Sequence, residues 1–353
     1  ALPICIVFTT GGEGNSSNNL VYNNTVMNNV ERGVLLQNEI ETSVYVNFFD
    51  NNGHYGIHLD NASLNEIRDN NITRNGISGV NLYQSDSNNV TANAIFNNSD
   101  GIRIEGNYNY LFKNNVSNNT RNGFSMTNSY NNKLSDNIIF YNDYNGFSIE
   151  NTTYGAFAGN EIANNTLKSF SINNSNFNTI FWNDIWNADI FDNSITDWNK
   201  TGVGNYWGDY STKYPNATNN QYLWDTPYEV VNGTFYDECP LVNPVGTHFQ
   251  GETGSLAWFF SGNGEIDSSP AIADVDKDGE LEVIFCSNSA DREVFCLSGK
   301  YPLVEWKNSD LILHSDSSPA IGDVDGDGWL EIVIGGGNNI YCLSGANGLL
   351  EWN

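Results

Sequence analysis

Two stretches near the C-terminal end space their carboxylates as a hard cation needs them. Asp274-Val275-Asp276-Lys277-Asp278-Gly279 returns 49 residues later as Asp323-Val324-Asp325-Gly326-Asp327-Gly328. In such an Asp-x-Asp-x-Asp-Gly run, alternate carboxylates converge on one centre and glycine permits the sharp turn. Oxygen donors of this kind select calcium over softer metals. A helix–loop–helix calcium site would place glutamate twelfth in the loop, but Phe285 and Ile334 stand there and the acids Glu282 and Glu331 stand ninth. The runs Glu282-Val283-Ile284-Phe285 and Glu331-Ile332-Val333-Ile334 read as strands. Calcium is expected to be structural here, because carboxylates crowded on one hairpin repel and a cation converts that repulsion into rigidity.

Other candidate chemistry is thinner. Asp60, Glu105 and Glu150 each stand four residues after a glycine of a repeated step, but Tyr83 and Thr127 fill the same phase between them. A carboxylate pair for glycan hydrolysis would need closer neighbours, so solvated charge is the plainer reading. Trp182, Trp186, Tyr108 and Tyr110 could stack on sugars or pack inside. Of four histidines only His54 and His58 are close, and Met27 and Met126 lie far apart, which is poor material for a copper site. Five cysteines make no CxxC pattern; Cys286 and Cys296 flank a hairpin whose register leaves a cross-link open. Fourteen Asn-x-Ser/Thr sequons are candidate glycosylation sites, at Asn15, Asn23, Asn61, Asn71, Asn89, Asn97, Asn115, Asn118, Asn151, Asn164, Asn173, Asn199, Asn216 and Asn232.

The elements that position these residues follow from one rhythm. Asn24, Asn47, Asn70, Asn93, Asn114, Asn137, Asn160 and Asn183 are 23 residues apart, with a single interval of 21. Apolar residues hold fixed places around each, as Val44 and Phe49 do around Asn47, and a Gly-apolar-x-apolar step recurs as Gly56-Ile57-His58-Leu59 and Gly79-Val80-Asn81-Leu82. Short alternating runs separated by Asn, Gly and Ser are strands and corners. The period predicts an all-β chain opening with a right-handed parallel β-helix of about eight coils, each stacked about 4.8 Å above the last. Stacked asparagines would then donate to one neighbouring coil and accept from the other, forming a ladder.

Composition limits the partners. The 353 residues hold 60 asparagines, 47 of them in the first 200, and a formal net charge of -28. That field repels phosphate backbones and anionic lipid, so no nucleic acid is expected. No apolar run is long enough for a membrane span. The sequons and the absence of basic patches suggest an extracellular or cell-surface protein.

Asn-x-Ile-x-x-Asn repeats followed by Gly-Ile-x-Leu resemble the NosD-like family of carbohydrate-binding and sugar-hydrolase β-helices. Gly204-Asn205-Tyr206-Trp207-Gly208-Asp209-Tyr210, Asp225-Thr226-Pro227-Tyr228 and Cys239-Pro240-Leu241 resemble the tail that closes such a helix in archaeal surface proteins. The acidic repeats resemble FG-GAP-type repeats of integrin-like β-propellers. That resemblance implies calcium ligands at Asp274, Asp276, Asp278 and Glu282, and at Asp323, Asp325, Asp327 and Glu331, with the carbonyls of Glu280 and Trp329 completing the shells. The expected organisation is a lead strand or cap over 1–17, a β-helix over 18–199, a closing segment over 200–247 and two four-stranded repeats over 248–353. Two repeats fall short of a propeller of four or more blades, and open β-edges invite pairing. The first expectation is therefore a non-catalytic surface glycoprotein that assembles with itself or with other surface proteins; a polysaccharide-binding or polysaccharide-degrading β-helix is the alternative, and a periplasmic copper protein is a weaker one.

Overall fold

A computed structural model describes residues 5–9, 18–200, 202–220, 222–231, 233–245, 266, 268–277, 279, 281–287, 293–299, 304–309, 311, 317–336 and 338–352. They fall into two compact units, 1–250 and 251–353.

The first unit is a parallel β-solenoid with three nine-stranded faces. One coil shows the logic. Arg32–Gln37 lies on the first face, Ser43–Tyr45 on the second and Phe48–Asp50 on the third. The next coil repeats this as Tyr55–Asp60, Glu66–Arg68 and Asn71–Thr73. Equivalent residues pair directly, Val34 with Ile57 and Val44 with Ile67. Val34, Leu36, Val44 and Phe49 are fully buried, and so are their counterparts in the middle coils; Ile6, Phe8 and Ile190 at the ends are partly buried. Each fully buried aliphatic or aromatic side chain contributes about 1.5–3 kcal/mol of transfer free energy.

The interval of 21 is two single-residue deletions at separate corners. Ser78 pairs with Asp100, 22 positions on, and Asn89 with Tyr110, 21 positions on. The ladder passes through unbroken. Asn93 Nδ2 donates to Asn114 Oδ1 at 3.0 Å, and Asn114 Nδ2 to Asn137 Oδ1 at 3.0 Å. Two further asparagine ladders share the period, one through Asn29, Asn52, Asn75 and Asn98, the other through Asn65, Asn88 and Asn109. Between ladders, corner residues adopt left-handed backbone, and thirteen of the 29 non-glycine examples are asparagine, the side chain that tolerates it best. Gly79 is required by crowding instead: a Cβ there would sit 2.5 Å from Ile95 Cγ2 and 2.9 Å from the Gly101 carbonyl.

Aromatic rings are buried in series through the last coils into the closing segment. Phe124, Phe147 and Phe170 stack at 5.1 and 4.8 Å, Trp198 meets Phe170 edge-on, and Trp207 stacks on Tyr228 at 4.1 Å. The first ladder runs from Asn183 into Asn205, and Asn205 closes on the buried carboxylate of Asp237.

The second unit holds two four-stranded antiparallel sheets. One is built from Ala271–Ala273, Glu282–Cys286, Val294–Ser298 and Val304–Asn308; the other from Ala320–Gly322, Glu331–Gly336, Asn339–Ser344 and Leu350–Trp352.

Candidate functional site

On the first face, alternation turns every second residue outward. Ile57 and Leu59 fill the core, so His58 between them points away from it. Pairing aligns Leu35, His58, Asn81 and Arg103 in one outward column, and Gln37, Asp60, Tyr83 and Glu105 in the next. Arg32 and Tyr55 pair at the strand entrance.

His58 is only 8% exposed despite facing outward, and its ring lies edge-on to Tyr55 at 4.6 Å. Neither ring nitrogen has a hydrogen-bond partner, and the buried Nε of Arg32 has none either. Burial lowers the imidazole pKa to about 4; the Arg32 charge adds to the shift and Asp60 opposes it. The ring is therefore neutral at physiological pH, with one donor and one acceptor unspent. A buried polar atom left unpaired costs about 1–3 kcal/mol, so the two imidazole nitrogens and the Arg32 Nε leave hydrogen-bonding capacity unmet on this part of the first face.

Carboxylates lie beside the guanidiniums of this face. Arg103 and Arg121 both lie beside the buried carboxylate of Asp100, at 3.8 and 3.6 Å, and Arg32 lies 3.5 Å from Glu31. Gln37 Nε2 donates to Asp60 at 2.8 Å. Tyr83 pairs with both Asp60 and Glu105, which keeps the carboxylates on alternate coils, as their spacing in the sequence indicates. Sequence reasoning weighed His58 only as copper-site material and set it aside, and it passed over Arg32 and Tyr55. The available signal was outward alternation of a histidine one coil from Arg32.

The acidic loops gather as spaced. Asp274, Asp276 and Glu282 bring carboxylate oxygens within 4.8 Å of one another, and so do Asp323, Asp325 and Asp327. Glu331 is not in the second cluster; its Oε2 accepts the Val324 N–H at 2.7 Å, as Glu282 Oε2 accepts that of Val275. Asp278 and Glu280 lie outside the described residues. Trp329 is exposed and carries Lys277 Nζ over its ring at 3.9 Å.

The described sequon asparagines sit apart from the ladders. Asn23, Asn61, Asn71, Asn89, Asn97, Asn115, Asn118, Asn151, Asn164 and Asn216 are exposed, and Asn173 and Asn199 are half-buried. Asn15 and Asn232 lie outside the described residues. The open question of a Cys286–Cys296 cross-link resolves against it. Cys286 faces Val294 and Cys296 faces Ile284 across the hairpin, and both thiols are free. Trp182 is buried, while Trp186 is exposed beside Tyr206. No helix among the described residues is long and apolar enough to cross a membrane.

Two family models match the chain. One, described as periplasmic copper-binding protein (NosD), matches residues 74–212. The other, described as right-handed beta helix region, matches residues 10–95. No curated protein matches. Among solved structures, a double mutant of the periplasmic alginate epimerase AlgG is 15% identical over 50% of this chain and 50% of its own, with a TM-score of 0.39. The chain thus spans about half the length of that epimerase. The enzymatically active domain of bacteriophage CBA120 tailspike protein 2 is 8% identical over 96% of this chain and 74% of its own, with a TM-score of 0.37. The donor set does not suit copper. Among the described residues, the groups of three His, Cys, Asp or Glu ligands within 4.8 Å are the two acidic loops, and Met126 is fully buried in the core. The three parallel faces give the coiled part of the chain the fold of a parallel β-helix, and both family matches fall within it.

Proposed function

We propose that this is an extracytoplasmic polysaccharide-binding β-helix whose first face holds a neutral, hydroxyl-rich chain. The observation that carries the reading is His58, outward and buried with both ring nitrogens unpartnered, beside the unpartnered Nε of Arg32. Donors, acceptors and the rings of Tyr55 and Tyr83 alternate along successive coils, which suits hydroxyls and ring faces of a repeating polymer. Each guanidinium here lies near a carboxylate, Arg103 and Arg121 sharing Asp100, and a neutral chain escapes the field of a protein with net charge -28. A pure scaffold role gives no account of a desolvated imidazole turned outward. Affinity electrophoresis and calorimetry with xylan, mixed-linkage β-glucan and polygalacturonate test the reading. Binding of a neutral polymer is expected, with a loss of roughly tenfold in each of Arg32→Ala and His58→Ala. No binding to any of the three polymers would end the proposal. The neutral imidazole can also accept a proton, so cleavage is the second reading, scored by new reducing ends or unsaturated products.

Calcium is proposed for the two acidic loops. The clustered donors are all hard oxygens, and Asp274, Asp276 and Glu282, with Asp323, Asp325 and Asp327, would hold the ions. A ligand at a hundred times its dissociation constant adds about 2.7 kcal/mol. Chelator should therefore lower the melting temperature of the C-terminal unit by several degrees, and Asp323→Asn with Asp325→Asn should abolish the response of the second sheet. Identical melts with and without chelator would count against both ions.

A further inference from the structure

The corner between the first and second faces carries a row of exposed rings that neither the core nor the His58 site uses. Tyr108, Tyr130, Tyr154 and Phe177 are between 42% and 59% exposed and occupy four successive coils. Tyr108 meets Tyr130 at 4.9 Å and Tyr154 stacks on Phe177 at 5.3 Å, so two ring pairs line the same corner over roughly 14 Å of the rod, a broken ridge. Tyr108, Tyr154 and Phe177 are held at φ 55, 57 and 62. Left-handed backbone is costly for a bulky side chain, by roughly 1–2 kcal/mol, and the equivalent corner of the coil between Tyr108 and Tyr154 uses Asn131. Left-handed backbone is common to this corner, with Glu41, Leu64 and Ser87 there on earlier coils; what sets these later coils apart is that the side chains placed on it are exposed rings.

The ridge has its own chemistry. Positions 107, 130, 153, 176 and 108, 131, 154, 177 are all uncharged, and none is aliphatic. Asn107 Oδ1 accepts the Tyr130 N–H and Asn176 Oδ1 accepts the Ile195 N–H, both at 2.9 Å. That leaves their Nδ2 groups as donors beside the rings. Flat apolar faces flanked by amide donors match a pyranose, which presents an apolar C–H face and a hydroxyl rim. The ridge also begins three residues beyond Glu105 of the first face, so one polymer can reach both surfaces.

We infer that this corner is a second glycan contact, stacking on the faces of neutral pyranose units of the polymer bound at the first face. The inference rests on the glycan reading but shares no residue with its site. The test is the triple variant Tyr108→Asn, Tyr154→Asn and Phe177→Asn, which removes three rings while installing the residue this backbone prefers. Expected results are a melting temperature equal to or above that of the parent and a tenfold or greater loss of affinity for xylan or β-glucan. If the parent binds these polymers and the triple variant binds equally well, the ridge proposal fails and the first-face reading stands. If the parent binds neither polymer, both fail together. A change in sedimentation without a change in glycan affinity would make the ridge a contact between copies and overturn the proposal.

Discussion

Replacing Asn114 by alanine should cost roughly 3–5 kcal/mol, far beyond what loss of a small polar side chain costs at the surface. Asn114 is fully buried at the middle of the longest ladder. Its Oδ1 accepts the Asn93 backbone N–H at 3.1 Å and the Asn93 Nδ2 at 3.0 Å; its Nδ2 donates to the Val90 carbonyl at 2.7 Å and to Asn137 Oδ1 at 3.0 Å. Truncation removes all four and strands partners where water does not reach, at about 1–3 kcal/mol for each group left unpaired. Each coil touches only its neighbours, so the damage localises at one interface and the two halves of the rod lose their coupling. Urea unfolding should show a lower midpoint and a broadened or split transition, whereas Asn115→Ala at an exposed strand position should fall within about 0.5 kcal/mol of the parent. A midpoint for Asn114→Ala that matches Asn115→Ala would mean that the ladder contributes nothing beyond its backbone bonds.

That ladder was legible because a solenoid turns sequence period into vertical alignment, so one residue type returning every 23 positions becomes a column of stacked side chains. The same logic set the fold class and the pairing of Asp60 and Glu105 across Tyr83. The other two ladders share the period but were hidden by the abundance of asparagine around them. The His58 site was not legible in the same way. Alternation shows that the residue faces outward; that it is nonetheless buried depends on side chains from adjacent coils, and that its nitrogens lack partners is a property of three-dimensional packing. The acidic loops were legible as clusters, but the two ninth-position acids differ: both accept a loop N–H, and Glu282 joins its cluster while Glu331 does not. Asp237 lies outside every repeat, and no spacing could have flagged it.

Asp237→Ala is expected to unfasten the closing segment, again by roughly 3–5 kcal/mol. The carboxylate is fully buried and accepts from the Asn205 N–H at 2.6 Å, Trp207 Nε1 at 2.9 Å and the Cys239 N–H at 3.0 Å. Every amide of the ladder points its Nδ2 toward this end, so the aligned dipoles present their positive pole to the one acid that terminates them, as a helix does at its N-terminus. Burial nevertheless raises the carboxyl to about 7 against the pull of those donors. A carboxyl raised above its unfolded value contributes stability that is present below about pH 4 and is lost as pH rises toward 7. His58 acts with the opposite sign, since its lowered value makes its contribution present above about pH 6.5 and lost toward pH 4. The two slopes oppose one another in the parent. Removing Asp237 should therefore leave the His58 slope exposed, so that the variant loses stability on acidification from pH 6.5 to 4 more steeply than the parent does. Tryptophan fluorescence follows the event directly, because Trp198 and Trp207 are buried beside Asn205 and Asp237. If Asp237→Ala unfolds at the parent's midpoint with the parent's pH profile, the ladder ends without a lock and the cap is held by its stacked rings alone.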